Sequence, residues 1–468
     1  MAGFVGRERE LASLERMLQR VADGGRGDRP GRAVLMRGRR RVGKSRLVEE
    51  FVERAGVPYL FFTASAQPSV EADLALFSEA ALASELSDAF ADQSPRSWDA
   101  ALRLLASALP EDRPSVVVLD EMPYLLANDR GFEGTLQKLF DRELSRRPVC
   151  IGSDLAMMEA LNEYGRPFHQ RATEMVVPPL NPAEVATMLD LAPADAFDAY
   201  LVTGGLPLIL DEWPRGASPA GYLEEAVTDP TSAMLVSAER ALAAEFPVGA
   251  QARNVLAAIG SGERSFTLIG RAAGGLPQAS LTRALHLLTS KRLVEAAVPV
   301  SARPSRDTRY VIADPYLRFW LTFLGPHIAE IERGRGDLVL RRITASWTSW
   351  RGRAIEPLIR ESLRRLPDAL PEGTAVVGAY WTRTNDPEID IVGADREPVA
   401  KRITCVGSVK WLESRPFDAH DLARLIVHRG RLPGADDSTP LVAMSRSGAG
   451  VDGVRTLGPD DLIGAWQT

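Results

Sequence analysis

The sequence predicts an α/β protein built on a parallel sheet, and three observations carry that reading. Short runs that are apolar at every position, Ala33-Val34-Leu35-Met36, Val116-Val117-Val118-Leu119 and Val149-Cys150-Ile151, fit strands buried on both faces of a parallel sheet. Stretches with helical spacing of apolar residues separate them. The first run enters a glycine-rich turn that opens a helix, and the second ends in two carboxylates, Asp120 and Glu121. In open α/β sheets, ligands bind at that strand edge.

A chain of 468 residues is too long for one ordinary core, and length alone suggests about three domains. Hydrophobic residues at 45% and charged residues at 25% fit a globular protein. Cys150 and Cys405 cannot form a disulfide framework and lack metal-ligand spacing, so both read as ordinary residues of a reducing compartment. The first ten residues lack the apolar core of a signal peptide, and no run approaches the ~18 apolar residues of a membrane span. The expectation is a cytoplasmic protein with no membrane partner. Net charge is −6, yet residues 246–366 hold 19 Lys or Arg against 9 Asp or Glu. A basic middle in an acidic chain is either a nucleic-acid footprint or a solvated arginine-rich surface.

The opening, Phe4-Val5-Gly6-Arg7-Glu8-Arg9-Glu10-Leu11, leads into an amphipathic helix with Leu11, Leu14 and Leu18 on one face. Next, Gly38-Arg39-Arg40-Arg41-Val42-Gly43-Lys44-Ser45 reads as a phosphate-binding loop. Its backbone N–H groups and the following helix N-terminus would face phosphate oxygens, where the helix dipole favours negative charge. Lys44 would reach the β- and γ-phosphates, and the Ser45 hydroxyl would be a ligand of Mg²⁺. The contact set is then Gly38, Arg40, Arg41, Val42, Gly43, Lys44, Ser45 and Arg46. On the strand ending at Asp120, that acid would hold Mg²⁺ and Glu121 would polarise the attacking water. A further strand near 149–152 ends at Ser153, either a polar contact on the γ-phosphate side or a helix N-cap. The last strand of this sheet is expected at 173–177, just after Arg171.

Short helices follow through about 246 and contain the turn Thr203-Gly204-Gly205-Leu206-Pro207. Helices near 252–259, 267–273 and 278–289, then strand-like runs at 293–300 and 309–313, describe a winged helix. Gln278, Ser280, Thr282 and Arg283 would lie near a major groove of double-stranded DNA, with Arg303 and Arg306 of the hairpin near phosphates. A helix near 350–366 carrying Glu356 precedes strands near 375–381, 388–392 and 402–411.

The opening and phosphate loop resemble ATPases related to origin-recognition and STAND switch proteins, in which Val5-Gly6-Arg7 would cover the adenine. Arg171, with Arg166 as the alternative, stands where AAA+ proteins place an arginine finger that completes a neighbour's site, which would require a homo-oligomer. Pro207 matches the Gly-x-Pro element through which STAND ATPases sense nucleotide. The order Glu356, Asp390, Lys410 resembles the PD-(D/E)xK nuclease core, whose acids hold Mg²⁺ while the lysine steadies the attacking water. Ser408 stands where that core has a carboxylate, which argues against nuclease activity, although Glu388 shares a strand face with Asp390. Taken together, the motifs resemble the archaeal-type ATPase family, AAA+/STAND-like nucleoside triphosphatases with a C-terminal nuclease-like domain. The resemblance implies a nucleotide-binding core at 1–179, a helical lid at 180–245, a winged helix at 246–320 and a PD-(D/E)xK-like domain at 321–468. It also implies ATP and Mg²⁺ as cofactors, ATPase chemistry that works as a switch, and DNA or a protein as the responding partner.

Overall fold

Five apolar segments pair side by side in the computed structural model, which describes residues 4–23, 32–38, 41–110, 112–142, 148–153, 172–246 and 249–467. They are β1 (Arg32–Arg37), β2 (Tyr59–Thr63), β3 (Ser115–Asp120), β4 (Pro148–Ser153) and β5 (Ala172–Val176). All neighbours run parallel, in the order β2-β3-β4-β1-β5. Every residue of β3 is buried, as a strand covered on both faces requires.

The covering helices are α1 (Glu8–Asp23), α2 (Lys44–Ala55), α3 (Val70–Leu82), α4 (Trp98–Ala108) and α5 (Phe132–Arg142). Ser69 and Ser97 start α3 and α4 by accepting the N–H groups of Ala72 and Ala100, which would otherwise lack partners. Those helices place Phe77, Trp98 and Phe132 in one aromatic core with Phe62 of β2; the Trp98 and Phe132 rings meet edge to face at 4.9 Å.

The chain divides into two compact units, Met1–Pro179 and Leu180–Thr468. In the second unit, α6 (Pro193–Thr203) ends in a Gly-Gly turn. Both glycines have positive φ, 61° and 69°, and a Cβ on Gly205 would lie 1.9 Å from the Leu180 carbonyl oxygen. That turn therefore excludes a side chain. Beyond helices at Pro207–Leu210, Pro219–Ala226 and Ala233–Glu245 come α7 (Gln251–Gly260), α8 (Phe266–Ala272) and α9 (Gln278–Ser290). An antiparallel hairpin, β6 (Val294–Ala297) with β7 (Arg309–Ile312), completes this segment, and Ser265 bridges to Arg309 beside it.

Beyond lie α10 (Gly336–Ala354) and α11 (Glu356–Arg365). The sequence pattern merged part of α10 with α11 into one helix. They are two because Pro357, in the first turn of α11, has no N–H to continue the ladder and crowds the turn before it. A second sheet comprises β8 (Val376–Trp381), β9 (Glu388–Ala394), β10 (Ile403–Lys410), β11 (Leu441–Ser445) and β12 (Arg455–Leu457). Its order is β12-β11-β10-β9-β8, with β8, β9 and β10 antiparallel in turn. β10 and β11 are parallel and are joined through α12 (Ala419–Arg431). Phe197 and Leu201 of α6 share a core with Ile359, Ile391, Trp411 and Met444, so the helices after Leu180 are packed into this sheet's own core. Among the described residues, no helix is long and apolar enough to cross a membrane.

Candidate nucleotide site and a second acidic cluster

The C-terminal edge of the first sheet gathers the phosphate loop and the β3 acids. β1 leads into the loop, Gly43 takes φ 85° as the N-cap of α2, and Arg41 also has positive φ, 68°. The α2 N-terminus therefore opens from a backbone path that only a short sequence window allows. The ammonium of Lys44 donates to the Gly38 carbonyl at 3.1 Å, closing the loop on itself. The Ser45 hydroxyl donates to Asp120 Oδ2 at 2.7 Å across 75 residues of sequence. Asp120 Oδ1 accepts the Glu121 N–H at 3.0 Å, and Glu121 has φ 55°, an unusual backbone conformation for a non-glycine residue. β4 lies between β1 and β3, with Ser153 in register with Met36 and Gly152 with Leu119. The backbone of Ser153 is thus at the edge between loop and acids. Its side chain, and Arg40, Arg166 and Arg171, lie outside the described residues.

The opening segment is anchored to this loop. Gly6 and Arg7 both have positive φ, and the buried Arg7 guanidinium donates to the Val42 carbonyl at 2.8 Å. Leu11, Leu14 and Leu18 fix α1 by burying its apolar face. Arg46 forms ion pairs with Glu49 and Glu50 at 3.3 and 3.5 Å along the surface of α2. The spacing i, i+3 and i, i+4 makes those pairs the local default. A hydroxyl and a carboxylate side by side at the end of a helix N-terminus suit a hard, oxygen-seeking cation such as Mg²⁺. Such an ion would draw charge from phosphate oxygens; Lys44 and the α2 N–H groups would hold those oxygens in place.

A second acidic cluster occupies the other sheet. Asp390 Oδ2 accepts the Ser408 hydroxyl at 3.1 Å and the Val409 N–H at 2.8 Å. Glu356 lies close enough that Asp390 helps raise its carboxyl pKa to about 7, with burial the larger cause. Burial also raises Asp390, opposed by its hydrogen bonds from Val409 and Ser408. Arg360, one turn after Glu356, stands 3.6 Å from that carboxylate and donates to the Asp390 backbone carbonyl at 2.8 Å. Of the residues that the nuclease resemblance grouped, Glu356 and Asp390 come together, with Ser408 beside Asp390, but Lys410 is paired away from them. Its ammonium is 2.6 Å from Asp421, the buried acid of the α12 capping box. Glu388, whose charge helps raise both Glu356 and Asp390, pairs with Arg309 of β7. Among the described residues, no group of three or more His, Cys, Asp or Glu is placed to hold a metal ion.

The hairpin differs from the free wing expected. Its connection lies along the second sheet: Val300 N–H donates to the Ala379 carbonyl, Ala302 N–H to Pro433 and Ala400 N–H to Ser301. The Trp381 indole donates to the Asp307 carbonyl at 3.0 Å, and the Arg309 guanidinium lies 4.5 Å from the Trp381 ring centroid. Arg303 and Arg306 are exposed on this docked segment. Gln278, Thr282 and Arg283 are exposed along α9, while Ser280 is half-buried.

One network had no readable signal in the sequence. Asp198 of α6, only 3% exposed at its side chain, binds Arg351 of α10 at 2.7 Å and Arg446 at 2.8 Å. It also accepts the Trp411 indole N–H at 3.2 Å. Burial raises the Asp198 carboxyl while the two arginines pull it back. The partners are 153 and 248 residues away, beyond the reach of any spacing rule.

Comparison with known proteins follows these divisions. Residues 3–151 match the AAA ATPase domain model, and residues 320–422 match a family described as archaeal and bacterial proteins of unknown function. An uncharacterized protein of Methanocaldococcus jannaschii is 24% identical over 452 residues, 93% of each chain. Among solved structures, a Walker-type ATPase of Pyrococcus abyssi is 19% identical, with TM-score 0.49, over 68% of this chain and 96% of that one. The Aeropyrum pernix ORC1 protein, solved in complex with DNA, is 16% identical, with TM-score 0.33, over 71% of this chain and 95% of that one. An AAA ATPase domain match thus lies over the phosphate-loop sheet, and a match to an archaeal and bacterial family of unknown function lies behind it.

Proposed function

We propose that the protein is a Mg-ATP-controlled switch whose nucleotide state governs the helix and hairpin segments of the second unit. The observation that carries this reading is the 2.7 Å contact between Ser45 and Asp120, which joins the phosphate loop to the acid strand. In this scheme Lys44 and the α2 N-terminus bind the β- and γ-phosphates, Ser45 and Asp120 hold Mg²⁺, and Glu121 orients the attacking water. Ser153 contacts the γ-phosphate side, Arg171 serves a neighbouring copy, and Val5, Gly6 and Arg7 cover the base. Pro207 reports the nucleotide to the helices after it. Binding of the triphosphate and its loss on hydrolysis then bias two arrangements of the chain.

A second reading makes the protein a nucleotide-controlled DNA-binding regulator, with α7 to β7 working as a winged helix. The exposed face of α9 with Gln278, Thr282 and Arg283 favours it. The docked hairpin leaves less of the wing for phosphate contacts than the sequence suggested. ATP hydrolysis should be measured with and without double-stranded DNA, with Glu121→Gln as control and the DNA examined for cuts. Stimulation by intact DNA puts the regulator reading ahead. Hydrolysis indifferent to DNA favours a switch for a protein partner, and no Glu121-dependent hydrolysis removes the turnover step from both readings.

A further inference from the structure

The acidic cluster of the second sheet is surrounded by guanidinium groups from two directions. From within, Arg360 bridges the Glu356 carboxylate and the Asp390 backbone carbonyl. From the helix and hairpin segment, Arg309 pairs with Glu388 and donates to Asn385 at 2.6 Å, while Arg264 lies 3.9 Å from Glu388. Arg318, at the end of that segment, donates to the carbonyls of Ile312 and Ala354, the latter two residues before Glu356. Asp390 Oδ2 meanwhile accepts both the Ser408 hydroxyl and the Val409 N–H, and Lys410 is paired with Asp421.

We propose that this cluster is a closed socket in which arginines supply the positive charge that a divalent cation supplies in a metal-dependent nuclease. Arg360 neutralises it from inside, and Glu388 receives the helix and hairpin segment through Arg309 and Arg264. The nuclease-like module thereby works as a holder of that segment. Two features separate such a socket from a decayed metal site. Arg360 already brings a positive charge to the Glu356 carboxylate and to the Asp390 backbone carbonyl, so restoring the missing acid alone does not restore metal binding. The hairpin connection also lies along β8, where Val300 N–H donates to the Ala379 carbonyl and the Trp381 indole donates to the Asp307 carbonyl. This inference does not depend on ATP turnover.

The test is a count of bound Mn²⁺ by electron paramagnetic resonance on the nucleotide-free full chain carrying Asp120→Asn, which disables the other metal-binding pair. With Arg360 present no ion is expected to bind, and Ser408→Glu alone is expected to bind none. Ser408→Glu with Arg360→Met is expected to bind one ion that Asp390→Asn removes. An Asp390-dependent ion in the presence of Arg360, or none in a folded double variant, overturns the proposal. Should the double variant fail to fold, thermal melting of Arg360→Met still decides. The melting temperature is expected to drop and to be partly restored by adding Glu356→Gln, whereas an unchanged melting temperature, or a drop that Glu356→Gln does not relieve, overturns the assignment.

Discussion

Both units contain a serine hydroxyl bonded to an aspartate at the end of a buried strand, and the two pairs are built for different ends. Ser45 and Asp120 meet at 2.7 Å beside a helix N-terminus and a glycine-rich loop, in a setting suited to phosphate and its cation. Ser408 and Asp390 meet at 3.1 Å, but Arg360 donates to the Asp390 backbone carbonyl at 2.8 Å, and a backbone N–H takes part of the carboxylate. The residue pair therefore does not define a metal site. The charge that surrounds it does, because a guanidinium already in place leaves a dication little to gain.

Substitutions in each unit test this contrast. The largest effect is expected in the first unit, where Glu121→Gln should lower ATP turnover roughly 10²–10⁴-fold while leaving nucleotide binding in place. Steady-state hydrolysis and equilibrium binding, measured on the same preparation, separate the two. Equal losses in both would make Glu121 a binding residue.

Charges of the second unit should register in stability instead. Asp198→Ala strands Arg351, whose side chain is 1% exposed, and should cost about 3–5 kcal/mol in urea unfolding. A cost near zero would mean that Glu413, which also binds Arg351, suffices as its counter-charge.

A smaller loss, about 1–2 kcal/mol, is expected for Arg309→Ala, since its partner Glu388 is 42% exposed and the Trp381 contact adds only a modest term. The same variant should raise protease sensitivity between β6 and β7. Unchanged cleavage there would show that the backbone bonds of Val300 and Ala302 hold the connection without it.

The smallest effect is a pH dependence. Glu356 titrates near 7 in the folded chain against 4.5 for the ordinary carboxyl. Between these values the folded state retains a proton that the unfolded state has lost. Its contribution to stability is full below about 4.5 and is lost as pH rises through 7. Glu356→Gln should therefore flatten the fall in melting temperature between pH 5 and pH 8, and an unaltered slope would assign that fall to other groups.

The first sheet was legible because a strand buried on both faces leaves an apolar run, and the phosphate loop because its chemistry is local. Spacing could place Ser45 and Asp120 in one site, yet it could not show β4 between their strands, since strand order depends on packing among distant helices. In the second unit the reading found Glu356, Asp390 and Ser408 but assigned Lys410 to them. The choice of Asp421 as its partner follows from the position of α12, which sequence periodicity did not reveal. Arg360 was visible as an i, i+4 neighbour of Glu356, and its role emerges only when β9 is laid against α11.

The central claim is that one of the two serine–aspartate pairs takes a cation and the other does not. Counting Mn²⁺ ions per chain by electron paramagnetic resonance, with a non-hydrolysable ATP analogue present, tests it most directly. The account predicts a single ion, lost with Ser45→Ala or Asp120→Asn and indifferent to Asp390→Asn. A nucleotide-bound ion that survives both changes in the phosphate-loop site, or a further ion that depends on Asp390, would contradict it.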